Sequence, residues 1–246
     1  VSETTLRLPD NPTVVAGLAW MDTNLLSARL YSGSLSPGGL FWKYTAPVSP
    51  AAAMSLVAAF NGGFKPADSK GGYLSEGHLV APLRKGAASL VIYRDGQATV
   101  GAWGIDVSMT SAVVAVRQNL TLLVDHAQPV AGLNPGDTET WGSSLHAIPN
   151  TWRSGLGVTK DGALVYVAGP MTIVDLADML VRAGSVRAMV LDMNPDWPLY
   201  ATFAPSTPGG AADASNGTNL LPGMIETPSR VFSSAYNRDF VTMSAR

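Results

Sequence analysis

The sequence predicts a strand-rich α+β fold, and three observations point to it. Asp-Gly pairs at Asp95-Gly96 and Asp161-Gly162 each separate two short apolar runs, the local signature of β-hairpins. One segment, 172–183, carries apolar residues at helical spacing. The 246 residues include 25 Gly and 17 Pro, a density of turn formers that suits many short strands. Apolar residues make up 46% and charged residues 14%, against about 25% charged in a typical domain, so there is ample surface to bury and disorder is excluded for most of the chain. We expect one domain over 1–246, a mixed or antiparallel sheet with hairpins, and two main helices near 50–59 and 172–183.

From the N-terminus, residues 13–20 and 28–33 read as strands, and 34–39 as a Ser/Pro/Gly loop. Ser49-Pro50 opens the first helix, because Ser caps and Pro fits the first helical position. Residues 51–59 continue it, and Asn61-Gly62-Gly63 stops it. Hairpins follow at 89–93 with 97–103 and at 154–159 with 163–168, with short strands at 112–116 and 120–124 between them. Ile173, Leu176, Ala177, Leu180 and Val181 give the second helix one apolar face. Thr172 caps it and Gly184 ends it. Residues 187–193 form a buried strand carrying Asp192 at its end. The Pro-, Gly-, Ala-, Ser- and Asn-rich stretch 204–219 reads as a mobile surface loop.

Several functions are excluded by composition. Lys and Arg number 16 and Asp and Glu 18, for a net charge of −2, so the basic excess of a phosphate-neutralising nucleic-acid binder is missing. Without cysteine, disulfides, thiolate catalysis and cysteine metal sites are ruled out. No apolar run reaches the roughly 18–20 residues of a membrane helix, so this segment is not expected to insert into a membrane. His78, His126 and His146 lack metal-ligand spacing. No cofactor is expected, although carboxylates and carbonyls can bind calcium without a motif. Since the sequence starts at Val1, we read it as a trimmed or a mature chain, which leaves room for a signal peptide or membrane anchor upstream.

Three segments carry candidate chemistry. Phe60-Asn61-Gly62-Gly63-Phe64 either stops a helix or presents backbone amides to an anion. Arg153, at the entry to a hairpin strand, suits a phosphate or carboxylate or pairs with a nearby acid. Asp192 closes a buried strand and is followed by Met193-Asn194-Pro195-Asp196-Trp197; an acid there is costly unless paired or functional. Arg117-Gln118-Asn119 forms a polar cluster between apolar runs, Asp125-His126 ends the next run, and Glu139, Trp141 and His146 precede Arg153.

Together these segments resemble the phosphodiester glycosidase family. Asn61 to Phe64 matches its Asn-Gly-Gly-Phe motif, and Arg153 to Gly157 with Lys160-Asp161-Gly162 matches its Arg-Ser/Thr-x-x-Gly hairpin. The helix at 172–183, Gly184 and Leu191-Asp192 follow in the family's order, so the resemblance covers about 55–205. The family's Gly-Gly-Gly-Ser run after Leu-Asp is replaced here by Met193 to Trp197. This departure is similar to a divergent branch of exported actinobacterial proteins, which implies an extracellular or cell-envelope location with an N-terminal anchor.

The resemblance implies hydrolysis of a sugar–phosphate diester at the anomeric C–O bond, with a carbohydrate or sugar phosphodiester as substrate. Arg153 is the first choice for the phosphate, and the amides of Gly62 and Gly63 the second. Asp192 is the leading carboxylate, as nucleophile, base or electrostatic stabiliser. Glu139, Asp125 and Asp196 are candidates for a second acid. Asn61 and Asn194 are expected to bind sugar hydroxyls, Trp197 or Trp141 to stack on the sugar, and His146 to join the binding set. Hydrolysis of an unphosphorylated cell-wall polysaccharide and glycan binding without cleavage are the alternatives.

Overall fold

The structure, a computed structural model, describes residues 1–39, 42–142 and 151–246. Among these residues the strands form three sheets, and every pairing of named strands is antiparallel. This is the α+β, strand-rich architecture that the hairpin signals predict.

The largest sheet has seven strands in the order β1 (Ser2–Arg7), β2 (Val15–Met21), β13 (Leu164–Pro170), β12 (Trp152–Thr159), β14 (Ser185–Asp192), β10 (Leu122–Asp125) and β11 (Gln128–Pro129). Its centre is the hairpin built on Asp161-Gly162, in which Gly155 faces Val167 and Val158 faces Leu164. β14 then pairs with β12, from Thr159 opposite Ser185 to Ser154 opposite Asp192. That register brings Asp192 to the same end of the sheet as Ser154.

A five-stranded sheet runs β16 (Gly217–Asn219), β15 (Tyr200–Phe203), β4 (Leu56–Asn61), β17 (Phe240–Ala245), β3 (Leu26–Tyr31). The third runs β6 (His78–Ala81), β5 (Tyr73–Ser75), β9 (Val113–Gln118), β7 (Ala88–Tyr93), β8 (Ala98–Ala102). One apolar core draws side chains from all three sheets, among them Leu156, Tyr166 and Met189 of the first, Phe60, Tyr200 and Met243 of the second and Leu90 and Ile92 of the third.

The main helix among the described residues is α4 (Ile173–Arg182). The Thr172 hydroxyl accepts from Asp175 N–H while the Asp175 carboxylate accepts from Thr172 N–H, a reciprocal capping box. Ile173, Leu176, Ala177, Met179 and Leu180 are buried against Leu18, Val165, Val167 and Val190 of the large sheet. Burying each of the larger side chains contributes about 1.5–3 kcal/mol. The remaining α-helices are single turns: α1 (Pro50–Ala53), α2 (Pro66–Ser69) and α3 (Thr138–Trp141). No described helix is long and apolar enough to cross a membrane.

The expected helix at 50–59 is corrected. Ser49 does cap it, accepting from Ala52 N–H at 3.3 Å, but the helix ends at Ala53 and 56–61 is the strand β4 between β15 and β17. Leu56, Ala58, Ala59, Phe60 and Asn61 are all buried. A continuous apolar run buried on both faces has no period to separate it from a buried helix. In 204–219 the last three residues pair with β15 and Ala212 is buried, so this stretch is partly built into the second sheet.

Candidate active site

β14 delivers Asp192 to the end of the large sheet, where its side chain is almost fully buried yet lines an open cleft. Oδ2 accepts from Arg238 Nη2 at 3.0 Å and Oδ1 from Met193 N–H at 2.8 Å, while Asp192 N–H donates to Ser154 Oγ at 3.2 Å. Burial pushes the carboxyl up to about 6, and the Arg238 charge, the Met193 amide and, more weakly, Arg117 pull the other way. Asp192 is therefore ionised at neutral pH and within reach of protonation in mild acid.

The residues around it come from distant parts of the chain. Arg238 also donates to Gly63 O at 2.8 Å, and its guanidinium carbon stands 4.5 Å over the Trp197 ring. Its neighbour Asp239 pairs with Arg117, Nε to Oδ2 at 2.8 Å, both side chains essentially without solvent contact. Two buried ion pairs thus lie side by side at the start of β17. Such pairs persist only where further hydrogen bonds satisfy them. Asp239 Oδ1 accepts from Ser36 Oγ at 2.7 Å, and Arg117 donates to Gln118 O at 2.7 Å and to Phe64 O.

This gives the Arg117-Gln118-Asn119 cluster a structural meaning. At the end of β9, Arg117 fixes Asp239 and the Phe64 carbonyl. Asn119 Nδ2 donates to Val190 O at 2.7 Å and Leu191 O at 3.0 Å, which ties down the end of the strand that carries Asp192. Gln118 Oε1 accepts from Gly72 N–H at 2.9 Å and Arg84 N–H at 2.8 Å, and Gln118 Nε2 donates to Arg84 O at 3.1 Å.

The cleft itself has a volume of about 500 Å³. It is lined by Asp192, Met193, Asn194, Trp197 and Arg238 together with Phe64, Lys65, Asp68, Leu120, Thr138, Glu139 and Gly142. It therefore holds three carboxylates, two cations and an indole face. Another cavity, of about 300 Å³, contains Glu76, but both its carboxylate oxygens are taken by the backbone amides of Lys43 and Tyr44. Among the described residues no group of three or more His, Asp and Glu side chains is placed to hold a metal ion.

Of the residues singled out in the sequence, the cleft brings together Asp192, Asn194, Trp197 and Glu139. Asn194 also turns the chain, accepting from Asp196 N–H at 3.1 Å, and Asp196 is exposed beside it.

The other described ones do not line the cleft, although Asn61, Gly62 and Gly63 border a small void beside it with Asp192, Trp197 and Arg238. Arg153 is buried, donates to Met171 O at 3.0 Å and reaches Met193 Sδ at 3.5 Å. Burial pulls its pKa down to about 10, with Asp175 opposing. It braces the residue after Asp192 and does not line the cleft. Asn61 is buried too: its Oδ1 accepts from Tyr166 OH at 2.9 Å and Leu199 N–H at 3.1 Å, and its Nδ2 donates to Ser154 Oγ at 3.2 Å. It joins two sheets beneath Asp192.

Gly62 and Gly63 serve close packing. A Cβ on Gly62 would stand 2.0 Å from Asp239 Oδ2, and the Gly62 amide already donates to Asp239 O at 3.0 Å. Gly63 gives its carbonyl to Arg238 at a φ of +147°, and a Cβ there would stand 3.1 Å from Leu191 O. Trp141 lies in the core under α4 rather than in the cleft. Asp125 faces Arg187 at 3.6 Å; Arg187 lies five residues before Asp192 on β14, roughly 17 Å away at strand spacing. His146 lies outside the described residues.

The sequence reading missed Arg238, Lys65 and Asp68. The one signal for Arg238 is Arg238-Asp239 placed directly before the apolar strand β17, which predicts charges partly buried and in need of partners.

Comparison with known proteins bears on the same region. The chain adopts the fold of a zebrafish catalytic domain, that of N-acetylglucosamine-1-phosphodiester alpha-N-acetylglucosaminidase auto-inhibited by its pro-peptide, with a TM-score of 0.59 and 16% identity over 100% of this chain and 83% of that one. A hypothetical protein from Synechocystis matches with a TM-score of 0.53 and 13% identity over 99% of this chain and 61% of that chain. Curated protein sequences give no match. The phosphodiester glycosidase family model matches residues 54–193, which runs from the start of β4 to the residue after Asp192 and takes in the Asn61-Gly62-Gly63 corner, the Arg117-Gln118-Asn119 cluster and the β12–β13 hairpin. By this match the chain belongs to the phosphodiester glycosidase family.

Proposed function

We propose that the protein hydrolyses a sugar–phosphate diester of an extracellular or cell-envelope glycan, breaking the anomeric C–O bond. The observation that carries this reading is the grouping of Asp192, Arg238 and Trp197 with Lys65, Asp68 and Glu139 around one cleft. A phosphate monoester leaves readily as an anion, so cations that receive it matter more than strong protonation of the leaving oxygen. Lys65, with Arg238 behind it, takes that role in place of Arg153. Asp192 meets the positive charge that develops at the anomeric carbon, as nucleophile, base or electrostatic partner. Glu139 or Asp68 supplies the second carboxyl group. Trp197 offers a flat face to the sugar ring, and Asn194 binds its hydroxyls. The products are a free sugar and a phosphate monoester, with the elements of water divided between them.

The test is turnover of para-nitrophenyl phosphodiesters of several sugars by the wild type, Asp192→Asn and Lys65→Ala, with folding checked by circular dichroism. Turnover lost in Asp192→Asn and weakened in Lys65→Ala supports the proposal. A second reading, glycan binding without cleavage, is favoured by one feature: Asp192 is almost fully buried and both its oxygens are already hydrogen-bonded. Failure to turn over any phosphodiester or unphosphorylated glycan, with measurable glycan binding, would select it.

A further inference from the structure

The cleft does not end at Glu139. Asp68, Leu120 and Glu139 also line a second cavity of about 350 Å³, whose far side is formed by Lys70, Arg84, Lys85 and Gly86. Lys70, Arg84 and Lys85 are exposed, and among the described residues none of the three, nor Lys65, forms an ion pair with an acid. Four of the 16 cations of a chain with net charge −2 therefore line two cavities that share Asp68, Leu120 and Glu139 and together make a trough.

Their placement is fixed by the fold. Gln118 is fully buried and grips Gly72 N–H through Oε1 and both backbone groups of Arg84 through its two amide atoms. This sets the Lys70–Gly72 and Arg84–Lys85 segments side by side. Arg84 Nη1 then donates to Lys70 O at 2.8 Å, which orients one edge of the guanidinium and leaves its other donors to the cavity. The acids Asp68 and Glu139 stand at the waist between the two cavities. A neutral sugar fits beside them, and an anion fits beyond them.

We propose that this trough is an extended binding site for a polyanionic substrate, a chain of sugar or polyol units joined by repeating phosphodiesters. The terminal unit lies against Asp192 and Trp197, and phosphates further along the chain lie on Lys70, Arg84 and Lys85. The proposal rests on the reading of the Asp192 cleft as the catalytic centre, and it narrows the substrate from a lone phosphodiester to a polymer.

Three phosphate contacts at a slope of about 0.7 each make log affinity fall with log salt at a slope near −2. A fourfold rise in salt then weakens binding roughly twentyfold. The experiment measures kcat/KM for an oligomer of sugar phosphates and for the corresponding single phosphodiester at two salt concentrations. It also measures the affinity of the oligomer for the Asp192→Asn protein by calorimetry. Both are repeated with Lys70→Asn, Arg84→Ser and Lys85→Ser combined, and with Lys85→Glu alone, which keeps the Arg84–Lys70 contact.

We expect the unaltered trough to prefer the oligomer at low salt by about tenfold or more, the triple variant to lose that preference and most of the salt dependence, and Lys85→Glu to weaken the preference and lower the salt slope by about a third or more. Equal affinity of the oligomer for altered and unaltered troughs, or salt-independent binding, overturns the proposal. If neither substrate is turned over, the catalytic reading fails, and calorimetry still decides the trough.

Discussion

Replacing Arg238 by Gln should move the acidic limb of the pH–rate profile upward, because Arg238 holds the Asp192 carboxyl down against burial. Burial alone raises Asp192 strongly, and Arg238 lowers it both by its charge and by the 3.0 Å hydrogen bond to Oδ2, leaving it at about 6. A close opposite charge lowers a carboxyl by roughly 1–3 units, so its loss should carry Asp192 to roughly 7–9. In the proposed mechanism the ionised form is the active one. The wild-type limb is therefore expected near pH 6, and the variant should lose about twofold (at 7) to about ninetyfold (at 9) in kcat/KM at pH 7 and recover part of it in mild alkali. The assay is kcat/KM against pH for the wild type, Arg238→Gln and Arg238→Lys, with thermal unfolding followed in parallel. Breaking a buried pair costs about 3–5 kcal/mol, so Arg238→Lys, which keeps the charge, provides a second reading at smaller structural cost and should shift the limb less. An Arg238→Gln protein that is folded and active with its acidic limb unmoved would refute the coupling between these two side chains.

The same carboxyl makes stability depend on pH. Its folded-state value, about 6, lies above the unfolded 3.8, so its stabilising protonation is complete below the unfolded value and is lost as pH rises through the folded one. Urea unfolding of the wild type should show about 2 kcal/mol of extra stability from this group at pH 4 relative to pH 7, and Asp192→Asn should lack that component. Asp239→Ala strands Arg117 without its buried partner and should cost about 3–5 kcal/mol in urea unfolding, whereas Asp125→Ala, at a half-exposed pair, should cost under about 1 kcal/mol; equal costs would contradict the burial of the Arg117 pair. Trp197→Ala removes the stacking face and should raise KM for the sugar substrate about three- to tenfold, in keeping with roughly 0.5–1.5 kcal/mol for an aromatic contact, with kcat less affected.

The sequence was most legible where a signal is local. The Asp161-Gly162 hairpin, the Thr172–Asp175 capping box and the strand that ends at Asp192 each depend on residues within a few positions of one another. β4 was illegible because tertiary burial on both faces, not local preference, makes its Ala-rich run a strand. The inward turn of Arg153 was illegible for a related reason. Its position on a strand shows that it lies near Asp192, but only packing shows that its guanidinium turns inward to Met171 O. The pairs Asp192–Arg238 and Arg117–Asp239 join residues 46 and 122 positions apart. Nothing local specifies such partners; the sequence shows only that an arginine inside the run 113–118, or an acid closing a buried strand, needs one. Asn194, Trp197 and Glu139 reached the cleft because they flank the legible elements β14 and β12, while Lys65, Asp68 and Arg238 enter it from segments that pair late or far away.

The central claim is that the bond broken joins the anomeric carbon to the phosphate oxygen. The direct test is hydrolysis of a sugar phosphodiester in heavy-oxygen water, with the products analysed by mass spectrometry. Label in the free sugar and none in the phosphate monoester is the predicted result, because the proposed mechanism sets Asp192, Trp197 and Asn194 to work on the sugar and gives the phosphate to Lys65 and Arg238. Label in the phosphate monoester would mean attack at phosphorus and would contradict the account.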